Sequence, residues 1–136
     1  MSKKILWINP VTTELYNQTF KEEYEKVKQS DTIVDVVSLK PAPGPIHLEY
    51  NCYEGMIMPE LLETIYKAEK DGYDAAIIGC FYDPILRAAR EVTKKTVVTA
   101  PAEASLHIAA TLGESISIIV GRRKWIPEMK ENDHTY

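Results

Sequence analysis

Apolar positions along the chain follow two periods. Residues 4–8 form a short apolar run that Asn9-Pro10 stops, the mark of a buried strand. Tyr16, Phe20, Tyr24 and Val27 then recur at helical spacing, with Lys21, Glu22, Glu25 and Lys28 opposite. A helix with one apolar stripe is predicted there, capped by Thr12 or Thr13. Residues 32–39 are rich in β-branched side chains and read as a second strand. In residues 41–50, Pro41, Pro43 and Pro45 exclude both helix interior and central strand, leaving either a functional loop or a plain connector. Residues 51–71 are helical in pattern, with Met58, Leu61, Leu62, Ile65 and Ala68 as the buried face. Pro59 starts or kinks the main segment, and Asp71-Gly72 ends it.

A third strand is predicted over residues 74–80 and a helix over 84–91, with Asp83 as N-cap and Pro84 at the first helical position. Residues 96–100 read as a fourth strand. Residues 101–112 read as a helix apolar on most sides, hence buried on more than one face. Residues 115–120 read as a fifth strand, 122–132 as a last helix, and 134–136 as tail. This alternation of strand and helix implies an α/β fold, a parallel sheet with helices on both faces.

With 136 residues, one domain can bury a real core. A net charge of −4 and the lack of a basic stripe argue against nucleic-acid binding, and Lys94-Lys95 and Arg122-Arg123-Lys124 read as solvated clusters. No secretory signal and no membrane-spanning run is legible, so neither a membrane nor export is expected. Cys52 and Cys80 lie far apart without CxxC spacing, which fits no disulfide framework and no zinc site; a reducing cytoplasm is the expected compartment. Neither GxGxxG nor GxxxxGK[ST] occurs, so dinucleotide and P-loop readings lack their main support.

Chemistry concentrates at Gly79-Cys80-Phe81-Tyr82-Asp83-Pro84. Cys80 is placed where a buried strand gives way to a helix. Ligands of parallel sheets bind outside the carboxyl ends of strands, and a helix N-terminus favours thiolate over thiol. Cys80 is thus either a working cysteine or a small buried hydrophobe. His47 and Cys52 are placed toward the same sheet edge, each with an ordinary loop or helix reading beside a catalytic one.

Three stretches together resemble the Asp/Glu/hydantoin racemase superfamily, most of all its hydantoin-racemase branch. They are Ile8-Asn9-Pro10-Val11-Thr12-Thr13, then Gly79-Cys80-Phe81-Tyr82-Asp83-Pro84 with Ala88-Ala89-Arg90-Glu91, then Ala102-Glu103-Ala104-Ser105 with the strand predicted after it. The resemblance implies a flavodoxin-like α/β half of a two-domain fold, with residues 1–100 as the first domain and 101–136 as the start of a second, truncated one. It also implies isomerase chemistry at an amino acid or 5-substituted hydantoin, by cysteine-mediated Cα proton transfer without pyridoxal phosphate or metal. One thiolate takes the proton and a second thiol returns one to the opposite face. Cys80 would be one of the pair. Asn9, Thr12 and Thr13 would supply polar contacts, and Phe81 a backbone amide near the cysteine.

Two departures stand out. Val11 replaces a usual Asn, and nothing in the chain matches the family's second cysteine, which leaves Cys52 as a candidate substitute acid. A non-catalytic racemase-like domain that binds a small carboxylate, or serves as a partner subunit, is therefore the alternative. A hydrolase or lyase using Cys80 with His47 is the third. An unpaired apolar fifth strand would favour a homo-oligomer.

Overall fold

We describe a computed structural model covering residues 2–40 and 43–135, with the side chains of residues 131–135 set aside. Pro41 and Ala42 of the proline-rich loop, and Tyr136 of the expected tail, lie outside the described residues. The order of elements is β1 (Lys3–Asn9), α1 (Asn17–Val27), β2 (Thr32–Ser38), α2 (Asn51–Lys70), β3 (Ala75–Ile78), α3 (Leu86–Glu91), β4 (Val97–Thr99), α4 (Pro101–Ala110), a 3-10 turn (Arg123–Trp125) and α5 (Ile126–Thr135). The strands form one parallel sheet in the order β2-β1-β3-β4.

Alternation along β1 divides the two faces. Leu6 and Ile8 point into the main core, where they meet Leu61 and Ile65 of α2, Leu86 and Ala89 of α3, and Ala76 and Ile78 of β3. Trp7 points the other way, onto Phe20 and Tyr24 of α1, with ring centroids 5.8 and 4.8 Å away. The α2 face is the deeper one. Ile57, Leu61, Ile65 and Ala68 are all buried there, and each large aliphatic contributes about 1.5–3 kcal/mol on burial. Gly72, with φ +77°, supplies the left-handed residue that closes α2.

Several boundaries differ from the sequence pattern. The apolar stripe of α1 is shorter than expected, because Tyr16 lies outside the helix and Val27 is 77% exposed. Neither Thr12 nor Thr13 caps it. Thr12 is drawn instead to the Pro45 carbonyl, which accepts its N–H at 2.9 Å and its hydroxyl at 3.2 Å. Lys28 is half-buried rather than solvated, its ammonium donating to the Thr32 carbonyl. In α2 the phase runs through Ile57, and Met58 faces outward. Pro59 sits inside that helix and removes one of its hydrogen bonds.

The largest differences follow β4. Only Ala102 and Leu106 of α4 are buried, while Ile108 and Leu112 are exposed, so α4 is not a helix covered on several faces. It does not return the chain to the sheet. Residues 115–120 consequently find no strand partner, and the expected fifth strand does not form; Ile119 is 97% exposed. β-branched composition favours a pleated surface but cannot supply a ladder by itself. The last helix starts at Ile126, after the short turn, and runs on through Thr135, taking in most of the segment expected to be tail.

The turn before β4 is fixed electrostatically. One oxygen of Glu69 accepts the backbone N–H groups of Lys94, Lys95 and Thr96 at 2.7, 2.7 and 3.1 Å. The bonds from Lys95, Thr96 and Lys94 hold its carboxyl at about 2, down from 4.5. A depressed folded-state pKa contributes stability that is present above the unfolded value and lost as pH falls through the folded one. In urea titrations from about pH 5 to pH 2, the wild type is therefore expected to lose more stability than Glu69→Gln. Equal losses would show that these bonds add nothing to folding.

Candidate active site

The order β2-β1-β3-β4 creates a switch point. The chain leaves β1 toward one edge of the sheet and leaves β3 toward the other, which opens a crevice at the carboxyl ends of these two neighbours. Asn9 ends β1, and Cys80 follows β3 by two residues. Their elements are locked side by side, with Ile8 paired to Ile78 and the Gly79 N–H donating to the Ile8 carbonyl at 2.8 Å.

A cleft of about 360 Å³ opens at this point. Asn9, Pro10 and Val11 line it from β1, and Gly79, Cys80, Phe81 and Tyr82 from the turn after β3. His47, Leu48 and Glu49 of the proline-rich loop close one side, and Trp125 another. Among the expected site residues, Cys80, Asn9 and Phe81 thus share one cleft, and His47 joins them. Thr12 lines a neighbouring groove with Leu39, Lys40 and Met56. The Thr13 carbonyl accepts from Asn9 and Ser38, and its hydroxyl accepts the Leu15 N–H. Cys52 is exposed on the first turn of α2 and is not among the lining residues. Tyr82, Glu49 and Trp125 went unmarked in the sequence. Tyr82 lay inside the cysteine motif and Glu49 inside a loop already singled out, whereas Trp125 sat in a segment whose packing the pattern could not give.

Gly79 is required by close approach. A Cβ there would lie 2.5 Å from the Trp7 indole, so the backbone before Cys80 rests directly on that ring. After Cys80 the chain turns tightly, with the Asp83 N–H donating to the Cys80 carbonyl at 3.0 Å. Asp83 and Ile85 both have positive φ, 51° and 53°, so Asp83 cannot cap the helix that follows. Asp tolerates this conformation better than a β-branched residue, for which it is strained. The buried Asp83 carboxylate caps α4 instead, accepting the Ala102 and Glu103 N–H groups at 2.9 and 2.7 Å. Arg90 braces the same junction, pairing both its terminal nitrogens with Glu103 and donating Nε–H to the Val98 carbonyl.

Asn9 is buried and held by Nδ2–H donation to the Thr13 carbonyl, Asn17 Oδ1 and Ser38 Oγ, at 3.4, 3.5 and 3.3 Å. His47 Nδ1 accepts the Glu49 N–H at 3.4 Å, and its ring meets Tyr53 edge-on at 5.1 Å. The thiolate expected at Cys80 is not favoured here. Burial pushes the thiol up to about 12; the Tyr82 N–H directed at the sulfur opposes this, and the carboxylates of Glu54, Asp83 and Glu128 reinforce it. The first turn of α3 does not offset these effects, since it begins only at Leu86.

A family model described as Asp/Glu/Hydantoin racemase matches residues 5–134. The hydantoin racemase of Pseudomonas sp. (strain NS671) is 38% identical over 116 residues, covering 85% of this chain and 45% of that protein. The hydantoin racemase of Rhizobium meliloti is 32% identical over 124 residues, covering 91% and 50%. Among solved structures, allantoin racemase from Klebsiella pneumoniae superposes with a TM-score of 0.89 at 27% identity, covering 98% of this chain and 54% of that one. The chain spans about half the length of the relatives it matches.

The half-buried Cys80 thiol, held protonated by its surroundings, has a direct chemical consequence. In a Cys52→Ser background, the rate of Cys80 alkylation by iodoacetamide is expected to climb about tenfold per pH unit through about pH 10 without levelling. Levelling above about pH 9 would mean an ordinary thiol.

Proposed function

The chain belongs to the Asp/Glu/hydantoin racemase family, and from that premise we propose that it supplies one half of a cofactor-independent racemase site, with Cys80 as its proton-transfer group. The observation that carries this reading is the shared cleft of Cys80, Asn9 and Phe81 at the β1/β3 switch point. A proton acidified by a neighbouring carbonyl lies within the reach of a thiol–thiolate pair, since each sulfur can serve as base in one direction and acid in the other. Cys80 rests as the thiol and so starts as the donor. Its S–H proton passes to the planar carbanion, leaving a thiolate, while the group on the opposite face holds the proton removed from the substrate.

Asn9 and the backbone at Phe81 are the proposed contacts to the substrate carbonyl, which gains negative charge as the proton leaves. Thr12 and Thr13 support Asn9 and the proline-rich loop. Carboxylates around Cys80 disfavour a second anion, which makes an uncharged 5-substituted hydantoin ring a better guest than a free amino acid. A hydantoin racemase 38% identical to the chain supports the same choice. Residues 101–136 would open the second domain. The two free cysteines suit a reducing compartment, and no helix among the described residues is long and apolar enough to cross a membrane.

Deuterium incorporation at C5 of each enantiomer of a 5-substituted hydantoin, followed by NMR, tests the assignment. Exchange that Cys80→Ser abolishes while retaining the wild-type circular dichroism spectrum is the expected result. Exchange that survives the substitution would remove Cys80 from the reaction, and none with either protein would favour a non-catalytic binding domain.

A second consequence is association. Ile108, Leu112, Ile116 and Ile119 are exposed, and an apolar groove of about 180 Å³ runs between residues 116–120 and α5. Exposed apolar surface of this kind is covered in most stable proteins. Light scattering is expected to show a dimer or larger assembly at micromolar concentration, and a monodisperse monomer would contradict it.

A further inference from the structure

One pair of contacts ties the far end of the chain to the Cys80 cleft and is absorbed neither by the core nor by the proposed chemistry. Glu49 lines the cleft from the proline-rich loop. Its carboxylate accepts from Arg122 Nη1 at 2.8 Å and from Lys124 Nζ at 3.0 Å. The Lys124 ammonium also sits 3.6 Å from the centroid of the Tyr50 ring, and the Arg122 guanidinium 5.9 Å from that of Trp125. The basic cluster that reads as solvated in the sequence is therefore largely engaged. Lys124 and Arg122 hold the Glu49 carboxyl below its ordinary range, so the clasp is fully charged at neutral pH.

Burial shows what this clasp holds. The loop end is anchored, since Pro45 and Leu48 are buried on either side of the turn before Glu49. The other end is not, because residues 121–124 are all exposed and bring no apolar anchor of their own. Trp125 is half-buried against the cleft and edges Tyr82 at 6.3 Å. Beyond it the chain is held again by buried Met129. A Cβ at Gly121 would lie 2.8 Å from the Trp125 ring, so the indole folds back over that glycine. Trp125 thus occupies its place between one fixed end and one end held by charge.

We propose that Glu49 is a positioning residue: through Arg122 and Lys124 it holds Trp125 as the movable wall of the Cys80 cleft, and so sets how large a group can reach the sulfur. This rests on the reading of the cleft as the working site. A tight wall admits the small reacting centre and screens it from water, while loosening the clasp widens access at that side. Exposed ion pairs are individually weak and are screened by salt, so the wall is adjustable rather than locked.

The experiment uses the full chain carrying Cys52→Ser and compares alkylation of Cys80 by iodoacetamide and by a bulky pyrene maleimide. In Glu49→Gln the bulky reagent is expected to react about fivefold faster, with a smaller gain for iodoacetamide, while Glu49→Asp retains much of the wild-type barrier. Acrylamide quenching of tryptophan fluorescence should rise in parallel, because Trp125 and buried-side Trp7 are the only indoles. Raising sodium chloride to about 1 M should accelerate the bulky reagent in the wild type and leave Glu49→Gln unchanged. This salt arm stands even if the variant folds poorly. Absence of a salt effect in the wild type, or equal gains for both reagents, would overturn the proposal. Neither outcome depends on racemisation, so a failure of the proposed function would be seen separately, in the deuterium exchange.

Discussion

The buried carboxylate of Asp83 is the constraint on which the arrangement around Cys80 depends. It sits three residues after the cysteine, in a left-handed conformation that breaks the chain before α3 can begin. Both of its oxygens then cap α4, an element that follows a whole helix and strand later. One side chain thereby fixes the turn that presents the thiol and the point from which the rest of the chain departs. A buried charged acceptor satisfied by two N–H donors stabilises, whereas the same group unsatisfied would cost more than an ordinary hydrogen bond. The Arg90–Glu103 pair holds the first turn of α4 in place for it.

Beneath this turn the sheet supplies rigidity. Trp7 lies against Gly79 on one side of β1, while Ile8 and Ile78 are fully buried on the other. The cysteine is thus carried on a stiff platform, and its surroundings decide its state. Desolvation and nearby carboxylates keep the proton on sulfur, and the Tyr82 N–H only partly opposes them. Under the function proposed above, a site poised in this way would begin as a proton donor and would need a second group to complete an inversion.

Most of the sheet was legible from the chain alone, because β1, β2 and β3 are short apolar runs bounded by Pro, Asp or Gly, and the helices between them carry a clear period. The parallel pairing and the place of Cys80 at the end of β3 followed from that alternation; the strand order is seen only in the structure. What the pattern missed had physical causes. Asp83 reads locally as a cap for α3, but its carboxylate is taken by a helix about twenty residues on. Residues 115–120 have strand composition, yet a ladder needs a partner and none adjoins them. Apolar positions of α4 read as buried although only Ala102 and Leu106 are covered. Of the site, the cysteine and Asn9 could be named from their motifs. Glu49 and Trp125 could not, since Glu49 is joined to the Trp125 segment by ion pairs to Arg122 and Lys124, more than seventy residues away.

Under the proposed function, the crevice between β1 and β3 receives the substrate at Cys80. A backbone-amide NMR titration with 5-benzylhydantoin reads this directly. Shifts concentrated at Asn9, at residues 79–82 and at the Trp125 indole N–H are expected. Shifts gathered instead along the groove of Thr12, Leu39 and Met56, with the Cys80 turn unmoved, would contradict it.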